Sequence, residues 1–324
     1  MLSRVSANLC SRCGRPLRDG VCPVGHPQRA ARRRRKRPWR GTLTIVLVIA
    51  LVAGAVYAAL AWYPPKAAGD AMQPLSAELA QSIPPYRGTV EAFPSEASTD
   101  ALSAASTVLT ASDEARRGLT QLQAELESTA VPSIPVVSDR PPMELAAELH
   151  EEMSRFAVTA LENVSDLEAA ARYLTELSAI LPALANLRAA VGRPGSPGEV
   201  EGSVAASRPI AEQLTADLRS LTPPGELTTT HATLLAIARG LTTSIDELEQ
   251  TAGAASGPVI RAIVGDIRAQ IGSFREASAA APDDARAGGL REQIAEAERR
   301  LERIAAGLRE LEDEGVEGLT ILEP

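Results

Sequence analysis

The chain has 324 residues, is 45% hydrophobic and carries a formal net charge of −8, so it is long enough to bury a core and too apolar to be disordered throughout. The −8 hides an opposition: residues 1–40 hold 12 Arg and Lys against one acid, Asp19, whereas residues 41–324 hold 21 bases against 40 acids. All three cysteines fall between Cys10 and Cys22, which excludes a disulfide framework for the long remainder, and the five aromatics beyond Tyr63 amid abundant Ala, Leu, Glu and Arg disfavour a β-sandwich or barrel.

An all-α fold remains, and the first element is a small module in the basic tail. Cys10 and Cys13 are separated by two residues and followed by Gly14, a spacing that lets two thiolates reach one tetrahedral ion from a tight turn. Cys22 and His26 supply a second pair, closing a Cys3His ligand set with no open coordination position, which implies a structural ion rather than a catalytic one. The pattern resembles the short zinc-ribbon modules at the N-termini of many bacterial membrane proteins, although Cys22-x-x-x-His26 stands where those modules carry a second CxxCG. The resemblance covers about 17 residues and implies a structural zinc ion. With so few apolar residues, residues 1–28 would owe most of their folding free energy to that ion. Only Lys36 and Lys66 are lysine among the 33 basic residues, a bias that points to a GC-rich bacterial genome.

Residues 29–40 are a polybasic segment containing Arg32 to Arg35, Lys36 and Arg37. It lies against an uncharged run, Gly41 to Tyr63, whose 23 residues would span roughly 35 Å as a helix, enough for a hydrocarbon core of about 30 Å. Both tryptophans, Trp39 and Trp62, flank the run where amphipathic rings favour membrane interfaces, and the arginines predict a cytoplasmic N-terminus with the acidic part outside. A cleaved signal peptide, with Ala59-Leu60-Ala61 as its site, is the rival reading; a preceding segment of about 40 residues and so long an apolar run count against it. The polybasic segment fits anionic lipid head groups better than nucleic acid, because no aromatics are interleaved for base stacking.

Beyond the membrane run, Pro64-Pro65, Pro84-Pro85 and Phe93-Pro94 predict a mostly extended stalk over residues 64–95. Helical hairpins are expected over 96–191: one helix from near Ser95, capped by Ser98 or Thr99, and a second from Met143 to Val191 with a kink or break at Pro182. Residues 192–202 read as a linker, and 203–324 as a bundle with helices near Ser203–Leu221, Glu226–Thr251, Pro258–Ala280 and Asp284–Glu314. Whether the hairpins form one bundle or two is left open by pattern alone. Leu290, Ile294, Ala297, Leu301, Ile304, Leu308 and Leu311 follow a 4-3-4-3-4-3 seam, which serves either packing within the chain or a homodimer.

Candidate chemistry beyond the membrane run is sparse. Pro141-Pro142-Met143-Glu144-Leu145 and Pro223-Pro224-Gly225-Glu226-Leu227 each open a helix leading to a histidine, His150 and His231, 81 residues apart. Aligning the two matches apolar positions at helical spacing, as a duplication would and as chance in an Ala/Leu-rich chain also can. His150-Glu151-Glu152-Met153 is not HExxH, so the simplest reading of both histidines is a polar helix residue, with a shared metal site involving Glu144 and Glu226 as the alternative. Asn163-Val164-Ser165 matches a glycosylation acceptor inside a predicted helix. No phosphate-cradling glycine motif or nucleophile elbow is present. These features imply a non-enzymatic, single-pass inner-membrane protein whose acidic helical outer part binds or scaffolds protein partners. The alternatives are a signalling protein coupling outer binding to a cytoplasmic partner and a metal-dependent activity in the outer helices.

Overall fold

The computed structural model describes residues 10, 12–18, 21–25, 39–94, 99–131, 141–194, 196–251, 256–287 and 289–322, and these are helical apart from the cysteine-bearing segment and the connections. The chain divides into two compact units, Met1–Ala58 and Ala59–Pro324. α1 (Trp39–Ala92) has residues in both. From Leu47 its stretch in the first unit is apolar and outward-facing: Leu51 is 64% exposed and Val52 57%, whereas Met72, Leu75 and Leu79 in the second unit are 0% exposed. An apolar surface left uncovered all round a helix fits an apolar medium or a partner rather than water.

The expected stalk is corrected by this helix, which continues through Pro64, Pro65, Pro74, Pro84 and Pro85 to Ala92. The physical reason is the stripe Ala68, Met72, Leu75, Leu79, Ile83 and Tyr86, which recurs every three or four residues and is buried along its length. Each interior proline costs about 3 kcal/mol, and burying each large side chain of the stripe, at about 1.5–3 kcal/mol, offsets much of that cost while the helical path keeps the stripe on one face.

The other helices are α2 (Thr99–Ser128), α3 (Pro141–Val191), α4 (Pro197–Ser220), α5 (Thr228–Thr251, after a 3-10 turn at Gly225–Leu227), α6 (Gly257–Ala287) and α7 (Gly289–Asp313). Residues 95–98, including the proposed cap Ser98, and most of the loop before α3 lie outside the described residues. α3 runs through Pro182 without a break. α4 starts inside the expected linker, where Pro197 takes the first helical turn and the Glu199 carboxylate accepts the Ser196 amide at 3.2 Å. α6 passes Ala280 and Pro282 to end at Ala287.

Ala59–Pro324 buries two hydrophobic clusters, both lined by α3. One gathers Met72, Leu79 and Tyr86 of α1, Leu119 and Leu122 of α2, Met153 and Phe156 of α3, and Leu301, Ile304 and Leu308 of α7. The other gathers Leu174, Leu177 and Leu184 of α3 with Leu214 of α4, Leu241 of α5 and Phe274 of α6. The seam of α7 is therefore used inside the chain. Leu290, Ala297, Leu301, Ile304, Leu308 and Leu311 are buried and Ile294 is half-buried, so of the two uses expected for the row from Leu290 to Leu311, packing within the chain and a homodimer, the first is the one seen: the protein's own helices cover it. Arg300 and Arg303 reinforce the α3–α7 contact by pairing with Glu152 at 3.2 and 3.3 Å.

Candidate metal centre

The cysteine segment builds two tight turns, each closed by a glycine. Gly14 donates its amide to the Cys10 carbonyl at 2.9 Å and Gly25 donates to the Cys22 carbonyl at 2.9 Å, with φ of 66° and 74° respectively. Both angles lie in the left-handed region that side chains with a Cβ avoid, which gives these two glycines a definite reason to be there. Arg18 and Val21 exchange backbone hydrogen bonds of 3.2 and 2.9 Å, turning the chain so that the second turn returns to the first.

The result brings three sulfurs together. The Sγ atoms of Cys10, Cys13 and Cys22 all lie within 4.8 Å of one another, and Cys13 and Cys22 approach to 3.5 Å. Metal–sulfur bonds of about 2.3 Å in a tetrahedron put sulfurs about 3.8 Å apart, so the three could hold one metal ion. The backbone also favours the ligating thiolate. Amide hydrogen bonds from Arg12 and then Cys13 lower the Cys10 pKa to about 6, against an ordinary 9.0. At Cys13 the Arg15 amide lowers the pKa, but the hydrogen bond with Cys22, burial, the hydrogen bond with Cys10 and, last, repulsion from the Cys10 thiolate outweigh it and raise the value. A cation at the centre would relieve that repulsion. His26, the fourth expected ligand, lies outside the described residues. Sequence reasoning found the cysteines but passed over Gly25 as a turn residue and the amide donors, for which Cys22-Pro23-Val24-Gly25 is the available signal.

The two outer histidines are not brought together. His150 Nε2 lies 3.0 Å from the Leu126 carbonyl near the end of α2, whereas His231 Nδ1 shares a buried 3.1 Å hydrogen bond with the Tyr173 hydroxyl. Burial lowers the His231 pKa and raises that of Tyr173 to about 12. Among the described residues, the cysteines are the group of three or more metal-ligating side chains whose donor atoms converge; Glu144 and Glu226 join no such group with the histidines. The aligned segments do share a buried face, with Ala157 and Ala238, Val164 and Ile245, and Leu167 and Leu248 all buried. Asn163, whose triplet matches a glycosylation acceptor, lies inside α3 as expected, is fully buried and donates to the Tyr86 hydroxyl at 3.0 Å, a position closed to modification.

By length and composition, α1 from Leu47 onward and α3 are both apolar enough to cross a membrane. α3, however, is the helix around which the second unit packs, and Leu174, Leu177, Leu184 and Leu187 on it are fully buried. No protein-family model, curated protein or solved structure matches this chain.

Proposed function

We propose that this is a membrane-anchored, non-enzymatic interaction or scaffold protein, with a structural zinc module on the cytoplasmic side and an acidic helical domain outside. The observation that carries the reading is the uncovered apolar surface of α1, where Leu47, Val48, Ile49, Leu51, Val52 and Val56 are all exposed. Placed in a bilayer, that surface costs nothing, and the arginines before it orient the chain with its N-terminus inside. The three converging sulfurs support zinc, with His26 completing a closed tetrahedron that leaves no position for substrate. Support for a binding rather than a catalytic outer domain comes from the histidines, both engaged with partners inside the helical unit.

Two measurements test the reading together. A cysteine introduced at the exposed Glu212→Cys should react with an impermeant maleimide on intact cells, while the tail cysteines react only after permeabilisation. Proximity labelling from the outer side should then enrich a reproducible set of proteins over a membrane control. Recovery of the protein in the carbonate-soluble fraction refutes the anchor, and outer labelling that enriches nothing over the control refutes the scaffold. For the module, purified full-length chain should carry one zinc, lost on Cys10→Ser or Cys22→Ser; a metal content unchanged by either variant refutes it.

A further inference from the structure

A cavity of about 430 Å³ opens between the turn that leaves α3 and one face of α6, lined by Arg193, Pro194, Arg261, Val264, Gly265 and Arg268. Three guanidinium groups and no carboxylate line it, in a region of the chain where acids outnumber bases by 40 to 21. Positions 261, 264, 265 and 268 share one helix face, so the two α6 arginines stand two turns apart with the smaller residues between them. Gly265 leaves the middle of that face hollow: a Cβ there would meet nothing within 4 Å. Arg193 reaches the same space from the α3–α4 connection.

The charge balance of this cavity differs from that of the other arginine clusters. Arg116, Arg208 and Arg300 each pair with carboxylates. Arg193 and Arg261 are exposed and form no ion pair among the described residues. Arg268 is anchored, donating to the Gly192 carbonyl, and its Nε is buried without an acceptor among the described residues. Like charges gathered this way repel, and an anion seated between them removes the repulsion while matching the planar donor forks of the guanidinium groups.

We propose that this cavity is a binding site for a small phosphate ester, with the phosphoryl group held by Arg193, Arg261 and Arg268 and an apolar substituent against Val264 and Pro194. The volume falls in the range of small-ligand pockets of about 300–1,000 Å³. More than one guanidinium is needed to balance a phosphoryl dianion, whereas a lone carboxylate is matched by a single arginine. The assignment stands on the second unit alone and does not depend on the membrane reading. The phosphoryl group has two sources, a soluble ester or a phospholipid head group, and the experiment separates them.

Full-length protein in neutral detergent is titrated by calorimetry with phenyl phosphate, with inorganic phosphate, and with micelles doped with phosphatidylglycerol or phosphatidylcholine. Saturable binding is expected, weakened about tenfold or more by Arg261→Gln, which removes a donor fork that forms no ion pair among the described residues. Gly265→Leu keeps every charge but fills the cavity, and should abolish the same binding. Binding of phenyl phosphate identifies a soluble ester, and binding confined to phosphatidylglycerol identifies a head group. The melting temperature of each variant shows that it is folded, and if Gly265→Leu melts early, Arg193→Gln replaces it. Absence of saturable binding to every probe overturns the proposal, as does binding that both variants leave intact, because it would then belong to the basic tail.

Discussion

Replacing Gly307 by alanine sets two effects of opposite sign against each other. Gly307 lies in α7, where alanine in place of glycine stabilises a helix by about 1 kcal/mol. It also lies where α7 meets α3: a Cβ would sit 2.6 Å from Leu149 Cδ2, 3.1 Å from its Cγ and 3.3 Å from its Cδ1. Leu149 is buried, so its side chain has little room to turn away, and overpacking of this kind costs about 1–3 kcal/mol. The expected net effect of Gly307→Ala is a destabilisation of about 0–2 kcal/mol. Gly272 in α6 is the internal control, since a Cβ there meets nothing within 4 Å, and Gly272→Ala should stabilise by about 1 kcal/mol. Urea denaturation of the full chain in neutral detergent, followed by helical circular dichroism, should separate the two variants by about 1–3 kcal/mol. A second comparison isolates the clash. On a Leu149→Ala background, which itself costs about 2–5 kcal/mol, Gly307→Ala should become stabilising. If Gly307→Ala stabilises the unaltered protein as much as Gly272→Ala does, the close approach of α3 and α7 is refuted.

Tyr86→Phe removes the acceptor of Asn163 Nδ2 in the first hydrophobic cluster, where Asn163 Oδ1 already has no partner among the described residues, and should cost about 1–3 kcal/mol by denaturation. The double variant Tyr86→Phe, Asn163→Leu should recover much of that loss, because neither polar group then stays buried and unmet. Burial keeps His231 neutral in the folded chain, so the unfolded chain binds the extra proton below the ordinary value of 6.5; stability should fall as pH drops through that value, and the dependence should weaken in His231→Gln. At the alkaline end, Tyr86 and Tyr173 hold their protons to about 12 when folded but ionise near 10 when unfolded, so stability should fall again between pH 10 and 12 and the fall should shrink in Tyr173→Phe. Ile304→Ala in the α7 seam should cost about 2–5 kcal/mol in denaturation while light scattering shows an unchanged mass, since the seam packs within the chain; a halved mass would mean that the seam joins two copies.

The helices after the apolar run were legible because most of their breakers are local. Gly192 and Pro197 bracket the α3–α4 turn and Pro223-Pro224 marks the entry to α5, whereas the start of α4 and the end of α6, where proline continues the helix, lie six and seven residues from the expected positions. Residues 64–92 were misread by the same rule, because the proline signal there competes with a burial stripe whose partners lie on α2, α3 and α7, far along the chain. Spacing revealed the cysteines, while the amide donors to Cys10 Sγ belong to the backbone and leave no trace in residue type. The arginine-lined cavity was illegible for a related reason: Arg193 and Arg261 are 68 positions apart and meet only when the α3–α4 turn packs beside α6.

α4 begins within the expected linker at 192–202, and α3 before it contributes to both hydrophobic clusters. Phe156 and Val164 on its first half belong to one cluster, Leu167 and Leu174 on its second half to the other, with no loop between them. A glycine- and proline-rich turn separates domains only where few contacts cross it. Here the chain on the far side returns: Leu301, Ile304 and Leu308 of α7 pack beside Met72 and Phe156, which precede the turn by far in sequence. Arg268 then ties α6 to the turn itself through the Gly192 carbonyl. The turn is thus pinned between helices on both sides. Ser203 of α4 adds a second tie by donating to the Val191 carbonyl at 2.8 Å, so the backbone beside the arginine-lined cavity is held from both α4 and α6, the kind of frame a small ligand site requires.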